Sequence, residues 1–493
     1  MQKLVFFAFV LALACTKHNP EACCATPDQC SMYGLGGITP CEGTGQVCDT
    51  TGTCVMPQCT TSTDCTDPTM PFCENQFCVA ACGSDGDCMA MAGKPFCAPS
   101  GACEACLDNS ACSMADAPVC DGSAHACRGC VADSECASGI CLESNGTCAD
   151  ESQTVFVDIL GHDTGTCTKA SPCHSMEYAF GQMSGARNVL KVIPTMWSEP
   201  ATIQIQNVNG YIDGSTTTMS GNGSDGLFTM LSGNVTITGF TFTPSVGIPV
   251  VDARQGQITF YGDTLTGNIN INGGMAVLQH AAAVGVACGD VGGPVTVPGG
   301  TIEVERSTLS GISTNHCAVT VKQSTFDDTS TNGDPIRLGS ATQPFTIENN
   351  VFVSTDAFTD AVSMAGPSGS VFRFNTLVNL SGMDQTAQPL ECLGDPIEVS
   401  NNIVAWHTST APHCSLTYTL VDSIEALPPG TGNLVGDAST FFVDMANKNF
   451  HLAPGSPAIG AAEPGVNVTV DHDGNPRPQP AGTNADVGAF EAP

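Results

Sequence analysis

The chain has 493 residues, of which 14 are Lys or Arg and 48 are Asp or Glu, so its formal net charge is −34. A chain this acidic repels nucleic acid and anionic lipid head groups, and we therefore exclude nucleic-acid binding. Hydrophobic residues make up 42% of the chain, too many for a disordered protein, while 53 Gly and only 13% charged residues indicate short strands and very little helix. Cysteine density predicts a domain boundary near residue 150, because 23 of the 29 cysteines precede Asp150.

The first residues have the features of an export signal. Met1-Gln2-Lys3 is a short positive start, and the apolar run Leu4 to Ala14 is too short to span a bilayer, so we predict that residues 1–14 are removed. The sequence Ala12-Leu13-Ala14-Cys15 satisfies the small-x-small rule for ordinary cleavage and also resembles the bacterial lipobox, although Ala12 stands where Leu is usual.

Cysteine parity favours lipidation over simple secretion. Without Cys15 the chain keeps 28 cysteines, an even number that can pair fully. The lipobox resemblance, with Thr16 rather than Asp in the next position, implies an outer-membrane or cell-surface lipoprotein. We expect residues 15–22 to form the tether and the N-terminal lipid to be the sole membrane attachment; a secreted protein is the alternative.

Residues 23–150 contain a tandem cysteine repeat. Four units begin 23, 24 and 24 residues apart, and a looser earlier copy precedes them. A unit of about 24 residues cannot bury enough apolar surface to fold without cross-links, so we predict structural disulfides of unspecified connectivity. The four units contain Cys59, Cys65, Cys73 and Cys78, then Cys82, Cys88, Cys97 and Cys103, then Cys106, Cys112, Cys120 and Cys127, then Cys130, Cys136, Cys141 and Cys148.

Metal binding is the competing interpretation of these cysteines. Cys103-x2-Cys106 and Cys127-x2-Cys130 have the spacing of half a zinc site, but both pairs straddle unit junctions of an exported chain. We therefore predict no metal and no cofactor, with the Asp-rich loop 84–87 able to hold Ca²⁺ only weakly. The array resembles short Cys-rich repeats of exported proteins of myxobacteria and, more distantly, EGF-like or Dickkopf-type modules, which implies a stalk or an interaction module.

A different repeat follows Asp150 and predicts a parallel solenoid. The segments Phe345 to Phe352, Val371 to Val378 and Ile397 to Val404 alternate inward apolar residues, and their first corner residues Asn349, Asn375 and Asn401 lie 26 residues apart. Asn tolerates left-handed backbone and can stack in ladders between rungs. An antiparallel sandwich would need hairpin turns instead of one recurring corner. Weaker copies run from Val235 to Phe242, Ile258 to Leu265, Ala276 to Ala283, Ile302 to Leu309 and Val319 to Phe326, giving roughly eight rungs.

Both ends of the solenoid carry recognisable segments. Val155 to Asp158, a short helix from Ser175 to Gln182 and Val189 to Ile193 resemble the opening of right-handed parallel β-helix proteins of the pectate-lyase superfamily, with Cys167 and Cys173 as a staple. The tail segments Phe450 to Ile459, Asp471 to Arg477 and Asp486 to Glu491 resemble the choice-of-anchor Q domain of bacterial surface proteins.

The resemblance covers roughly 340 residues and implies an all-β, right-handed parallel β-helix over 151–425, closed by a C-terminal cap over 426–493. Members of this group often continue into an anchoring tail, whereas this sequence stops two residues after Glu491. We therefore expect Cys15 to provide the attachment.

The solenoid shows no convincing catalytic constellation in its sequence, and we predict no catalytic residue. Related folds host enzymes that cleave acidic polysaccharides with clustered carboxylates and a base. Arg306, Lys322 and Arg373 lie in or beside rung strands, whereas Arg477 belongs to the tail motif and has a structural role there. Asp327-Asp328 is interpreted as a solvated turn, and Asp471-His472-Asp473 as part of the cap.

Two histidines stand beside cysteines, at His316-Cys317 and His413-Cys414. A Cys-His nucleophile needs a free thiol, and Cys288, Cys317, Cys392 and Cys414 are more simply explained as two disulfides between nearby rungs.

Two functional classes stay open. The first is a non-catalytic cell-surface lipoprotein that binds glycan or protein ligands or mediates adhesion on a disulfide-rich stalk. The second is a polysaccharide lyase or glycoside hydrolase acting outside the cell. Three or more titratable side chains converging on the middle rungs would favour the enzyme.

Overall fold

The computed structural model describes residues 47–48, 54–55 and most of the chain from residue 59 onward. The segments outside the described residues from there are 61, 67–69, 71, 75–76, 80–81, 90–92, 194–195, 200, 222–225, 289–298, 315, 329–335, 339–342, 356–361, 382–388, 394–396, 407–413 and 424–426. The predicted signal segment and Cys15 therefore lie outside the described residues.

The chain divides into two compact units, residues 1–130 and 131–493. The second unit thus includes residues 131–149 of the last cysteine repeat together with the solenoid. Sequence reasoning places the boundary near 150 because cysteine density falls there, whereas packing joins the last repeat to the strands that follow.

Each described cysteine repeat consists of one helical turn and one two-stranded antiparallel hairpin. The helical turns are Ser62–Asp64, Asp85–Cys88, Asn109–Ala111 and Asp133–Glu135. The hairpins pair Phe72–Glu74 with Phe77–Val79, Phe96–Cys97 with Cys103–Glu104, Val119–Asp121 with Ala126–Arg128, and Cys141–Leu142 with Thr147–Cys148, and an earlier hairpin pairs Val47–Cys48 with Cys54–Val55.

The disulfides in these repeats join the first cysteine to the third and the second to the fourth. The pairs are Cys59–Cys73, Cys65–Cys78, Cys82–Cys97, Cys88–Cys103, Cys106–Cys120, Cys112–Cys127 and Cys136–Cys148, and Cys130 and Cys141 are also disulfide-bonded. Closing a loop of about 15 residues restricts the unfolded chain by roughly 3 kcal/mol, which a small unit without a large core requires.

The second unit is dominated by a parallel β-helix whose strands lie on three faces, here named A, B and C. Face A contains Thr154–Val157, Val189–Val192, the first parts of Val208–Gly221 and Gly233–Pro244, Gln257–Tyr261, Met275–Gln279, Thr301–Glu305, Ala318–Lys322, Phe345–Glu348, Val371–Arg373, Ile397–Ser400 and Cys414–Thr417. Face B contains Met196–Glu199, the second parts of the same two long strands, Thr264–Leu265, Ala282–Ala283, Thr308–Leu309, Thr325–Asp328, Val351–Ser354, Thr376–Asn379, Ile403–Ala405, Leu420–Asp422 and Leu434–Gly436. Face C contains Ile203–Ile205, Phe228–Met230, Val251–Ala253, Ile269–Ile271, Val286–Cys288, Ile312–Thr314, Ile336–Leu338, Val362–Met364 and Leu390–Cys392.

Alternation within each strand builds a continuous apolar interior. In Val319–Val321, for example, the two Val side chains are buried inside while Thr320 points outward. Aromatic residues stack from rung to rung, with ring centroids 4.8 Å apart between Phe326 and Phe352. This architecture confirms the predicted all-β parallel β-helix, and the five weaker upstream copies are all rungs of it.

The corner between faces A and B carries one left-handed residue per rung, followed by a buried residue. The left-handed residues in the middle rungs are His280, Arg306, Gln323, Asn349, Phe374 and Asn401. The predicted Asn corner is confirmed at Asn349 and Asn401, but in the rung between them Phe374 is the left-handed residue. Asn375 instead matches Asn350 and Asn402, because the two successive rungs are 25 and 27 residues long and not 26 each.

The buried corner residues form a hydrogen-bonded ladder. The backbone N–H of Asn350 donates to Asn375 Oδ1 at 3.0 Å, and that of Asn375 donates to Asn402 Oδ1 at 2.8 Å. Upstream, the N–H of Ser324 donates to Asn350 Oδ1 at 2.9 Å, and that of Phe240 donates to Asp263 Oδ1 at 2.8 Å. Each of these corner N–H groups is therefore satisfied by a side chain of the next rung, as burial requires.

The first rungs are covered by the last cysteine repeat. Ile140 and Leu142 pack against Phe156, Val189 and Tyr211 on the outer surface of face A. The predicted short helix is present as Met176–Phe180, with Ser175 Oγ accepting from the N–H of Tyr178, and the predicted Cys167–Cys173 staple is formed. A one-turn helical segment, Glu151–Gln153, leads into the first strand.

The C-terminal segment folds back along the outer surface of face B. The sequence instead predicts that this segment closes the end of the solenoid. Its apolar residues, including Phe441, Phe450 and Phe490, form a second core with outward-facing Val351 and Val378. The segment contains the antiparallel pair Phe442–Asp444 and Asn449–Leu452 and the helical turns Ala438–Thr440 and Met445–Asn447.

Candidate functional site

A column of charged side chains runs along the outer surface of face A on the middle rungs. Glu305, Lys322, Glu348 and Arg373 occupy equivalent positions on four successive strands, each paired directly with the next. Neighbouring strands lie about 4.8 Å apart, which brings these side chains within reach of one another. We call these four residues the charged column.

Glu348 lies at the centre of this column between two cations. Arg373 approaches it through Nη2 at 2.6 Å and donates from Nε at 2.7 Å, while Lys322 Nζ lies 3.7 Å from the other carboxylate oxygen. The Glu348 side chain is buried, whereas nearly half of Lys322 is exposed. The arrangement fixes the Glu348 side chain between two cations and leaves part of Lys322 accessible to a ligand.

The C-terminal segment borders this column through the loop 471–475. Gln323 Nε2 donates to the carbonyl oxygen of Asp471 at 2.7 Å, and Asn349 Nδ2 donates to that of Val470 at 2.8 Å. A Cβ at Gly474, which has a φ of +86°, would lie only 3.3 Å from Nη2 of Arg306. The left-handed corner residues Gln323 and Asn349 thus hold this loop next to the charged column.

Two histidines stand at this border around Phe490. Nε2 of His451 lies 2.7 Å from Asp473 Oδ2, and its Nδ1 lies 2.7 Å from Asn449 Oδ1, so this exposed ring is held from both sides. The partly buried His472 contacts the carbonyl oxygen of Asn349 through Nδ1, and desolvation lowers its pKa. His451 is the exposed imidazole of the pair.

Asp471 and Arg477 hold the segment together. Asp471 is fully buried and accepts N–H groups of Asp473, Asn475 and Glu491. Arg477 is buried opposite Glu491, with Nε 3.4 Å from Oε2, and its guanidinium lies 4.5 Å from the Phe374 ring centroid. This geometry agrees with the structural roles predicted for both.

The predicted turn Asp327-Asp328 lies at the end of a face B strand instead of in a separate turn. Asp327 Oδ2 lies 2.5 Å from Lys448 Nζ of the C-terminal segment, which ties that segment to the solenoid. The side chain of Asp328 lies outside the described residues.

The predicted rung disulfides are formed as Cys288–Cys317 and Cys392–Cys414. Cys317 therefore has no thiol for His316 to activate, and His413 lies outside the described residues. All eighteen cysteines predicted as structural, those of the four repeats and Cys167 and Cys173, are disulfide-bonded. In the acidic loop of the second repeat, Asp85 Oδ1 accepts the N–H of Cys97 and so serves the fold of its own repeat.

Sequence reasoning singled out Arg306, Lys322 and Arg373 but missed Glu305, Glu348 and His451. A usable signal exists, since each member of the charged column stands two residues before a buried corner residue. A carboxylate between two cations can orient an anionic or hydroxyl-bearing ligand. Acid–base hydrolysis uses two carboxylates, and the second one in this column, Glu305, lies two strands from Glu348.

No family model matches the sequence, and no curated protein matches it. Among the described residues, no helix is long and apolar enough to cross a membrane. The many disulfides indicate an oxidising, extracellular-type environment.

Proposed function

We propose that this chain is an exported, surface-attached lipoprotein that binds a glycan or protein ligand along face A and performs no catalysis. In this proposal Cys15 carries the lipid, the protein faces outward from the outer membrane, and the cysteine repeats form a stalk. The resemblance of the solenoid to right-handed β-helices, and of the tail to the choice-of-anchor Q domain, supports the assignment.

The proposal rests on the ion pairs that Glu348 forms within the charged column. Glu348 is paired with both Lys322 and Arg373, and the other carboxylate of the column, Glu305, lies two strands away. The middle rungs thus offer ligand-orienting groups whose charges are balanced around Glu348. Outward Thr320 and Thr346 line the same face in register and add hydroxyl groups. Such a regular surface suits a repetitive ligand.

An enzyme acting on extracellular polysaccharide is the second candidate, and one observation favours it. Lys322, Glu348 and Arg373 converge on the middle rungs. Three converging titratable side chains are the number that the sequence analysis requires of an enzyme. A lysine or arginine near a carboxylate can also serve proton abstraction next to a carbonyl.

A polysaccharide panel separates the two candidates. We expect the purified chain to retain one or more polymers without producing new reducing ends or unsaturated products. Lys322→Ala should weaken that binding about tenfold, corresponding to one lost charged contact of roughly 1.4 kcal/mol. Turnover by the wild-type chain that disappears in Glu348→Gln would instead establish the enzyme.

Arg254→Ala is the matched control. Arg254 forms an ion pair with Asp252 at face C and has the same side-chain exposure as Lys322, 46%. Equal loss of binding in both variants would show that overall charge, and not face A, holds the ligand.

A further inference from the structure

We propose that Lys191 and Asp213 are joined covalently by an isopeptide bond between Lys191 Nζ and Asp213 Cγ. The two residues are direct neighbours on parallel strands of face A, where the last cysteine repeat packs on the solenoid. This inference does not depend on the proposed function.

The two reacting groups are already in contact away from water. Lys191 is 6% exposed and Asp213 is 4% exposed, and Nζ lies 2.5 Å from Oδ2 of the carboxyl group. Holding a nucleophile and an acyl carbon in this way replaces an encounter in water by an effective concentration on the order of 10⁵ M or more.

The surroundings of Asp213 suit it to be the acyl partner. The backbone N–H of Ser215 donates to Asp213 Oδ1 at 2.9 Å, so that oxygen can carry the negative charge that develops when Nζ attacks Cγ. Burial also raises the pKa of the Asp213 carboxyl group, which favours the protonated form whose hydroxyl can leave as water.

Asp133 of the last cysteine repeat supplies a base. Its Oδ2 contacts Lys191 Nζ directly, and its Oδ1 is fixed by the N–H of Cys141 at 2.9 Å. The carboxylate is a third exposed, which opens a route for the released water.

The chemical step balances without any other reactant. The Lys191 ammonium and the Asp213 carboxylate form one C–N bond and break one C–O bond. The released oxygen leaves as water with two protons from the ammonium, for which Asp133 is the carrier in contact with Nζ. The product replaces a buried ion pair with a neutral amide, which removes two charges from a poorly solvated site.

Peptide mapping of the reduced and alkylated full chain tests the bond. Trypsin cannot cut after an acylated Lys191, so we expect the peptide 188–254 to appear with the mass of one water missing. Chymotrypsin then cuts after Trp197, and the two pieces should stay joined, with fragment ions placing the link on Asp213. Separate linear peptides of full mass, or a link on Asp133, would overturn the proposal.

Two variants sharpen the test. In Asp213→Asn the same attack releases ammonia instead of water, so the joined product should keep the wild-type mass while its precursor differs. Lys191→Arg preserves the ion pairs but not the nucleophile, so it should give linear peptides of full mass. An identical mass deficit in Lys191→Arg would show that the loss arises elsewhere in the peptide.

Discussion

The ladder at the corner of faces A and B shows how single residues decide whether buried backbone is satisfied. In the Asn rungs the side-chain oxygen accepts an N–H of the preceding rung, and Nδ2 donates to two carbonyl oxygens, as Asn350 does to Val321 and Glu348 at 3.0 Å each. Asp263 occupies the same position and accepts the N–H of Phe240, but its Oδ2 is buried without a hydrogen-bond partner. A carboxylate has no proton to donate where Asn supplies an NH₂ group.

Asp263→Asn is therefore expected to stabilise the protein at neutral pH. Burial raises the pKa of Asp263 well above its ordinary value, so the folded state holds a proton that the unfolded chain releases. The wild-type stability should fall as pH rises from the ordinary carboxyl pKa towards the raised one, and stay low above it. The variant should lack this loss and gain about 1–3 kcal/mol at pH 7, measured by denaturant unfolding from pH 4 to 8.

Asn350→Asp is the converse control. It places a carboxyl group at a ladder position that holds an amide, so it should lower the free energy of unfolding at pH 7 and recover part of it at pH 4. The prediction is contradicted if the difference in free energy of unfolding between each variant and the wild type does not change with pH.

Sequence reasoning identified the corner but not its details. Asn349 and Asn401 were recognisable because Asn tolerates left-handed backbone. Phe374, also left-handed, carries no such signal, since its conformation is imposed by flanking rungs that already pair in register. Asp263 was missed because an Asp beside Gly262 is typical of any polar turn.

Among the elements, the C-terminal segment depends on one buried ion pair. Arg477 and Glu491 have no exposed side-chain surface, and Arg477 also donates to the carbonyl oxygens of Asp486 at 2.6 Å and Gly488 at 3.0 Å. Removing one partner leaves the other charged and buried.

Arg477→Met should destabilise this segment by about 3–5 kcal/mol, since Glu491 then lacks its counter-ion. We expect limited proteolysis to remove the residues after 437 from the variant while the solenoid survives. Lys448→Ala breaks the partly exposed contact with Asp327 and should cost less than about 1 kcal/mol. Equal sensitivity of the two variants would mean that the buried pair does not hold the segment.

Faces A and B were predictable as elements, because their strands adjoin one recurring corner. Face C was not, because its three-residue strands follow connections that vary from one rung to the next; Ile269–Ile271 and Ile336–Leu338 are examples. The packing of the last cysteine repeat was also hidden, since its cysteine spacing follows the other repeats. Outward Phe156 was the available signal, as an aromatic side chain on an outer surface needs a partner.

At the scale of the whole molecule, the two units are stabilised by different interactions. The first depends on disulfides around small apolar clusters, such as Cys82, Cys88 and Cys103. The second has a continuous apolar core running from Val155 to Val421. Only three described disulfides, Cys167–Cys173, Cys288–Cys317 and Cys392–Cys414, cross-link the solenoid itself.

Reduction of the disulfides should therefore destabilise the first unit much more than the second. After reduction and alkylation we expect protease to digest residues 59–130 rapidly and to leave a resistant core that begins between 131 and 154, detected by N-terminal sequencing. The strand signal in circular dichroism should largely persist. Complete digestion at the same protease concentration would show that the solenoid also needs its disulfides.

The corner ladder has a direction along the chain. In the rungs with a polar ladder residue, its side chain accepts the N–H of the rung before it, and near the last rung the N–H of Thr419 donates to Asn433 Oδ1 at 3.0 Å. If rungs form in order from the N-terminus, a newly formed rung thus keeps an unsatisfied corner until its successor has folded onto it. A chain interrupted between two such rungs therefore leaves the corner N–H of its last rung without a side-chain acceptor.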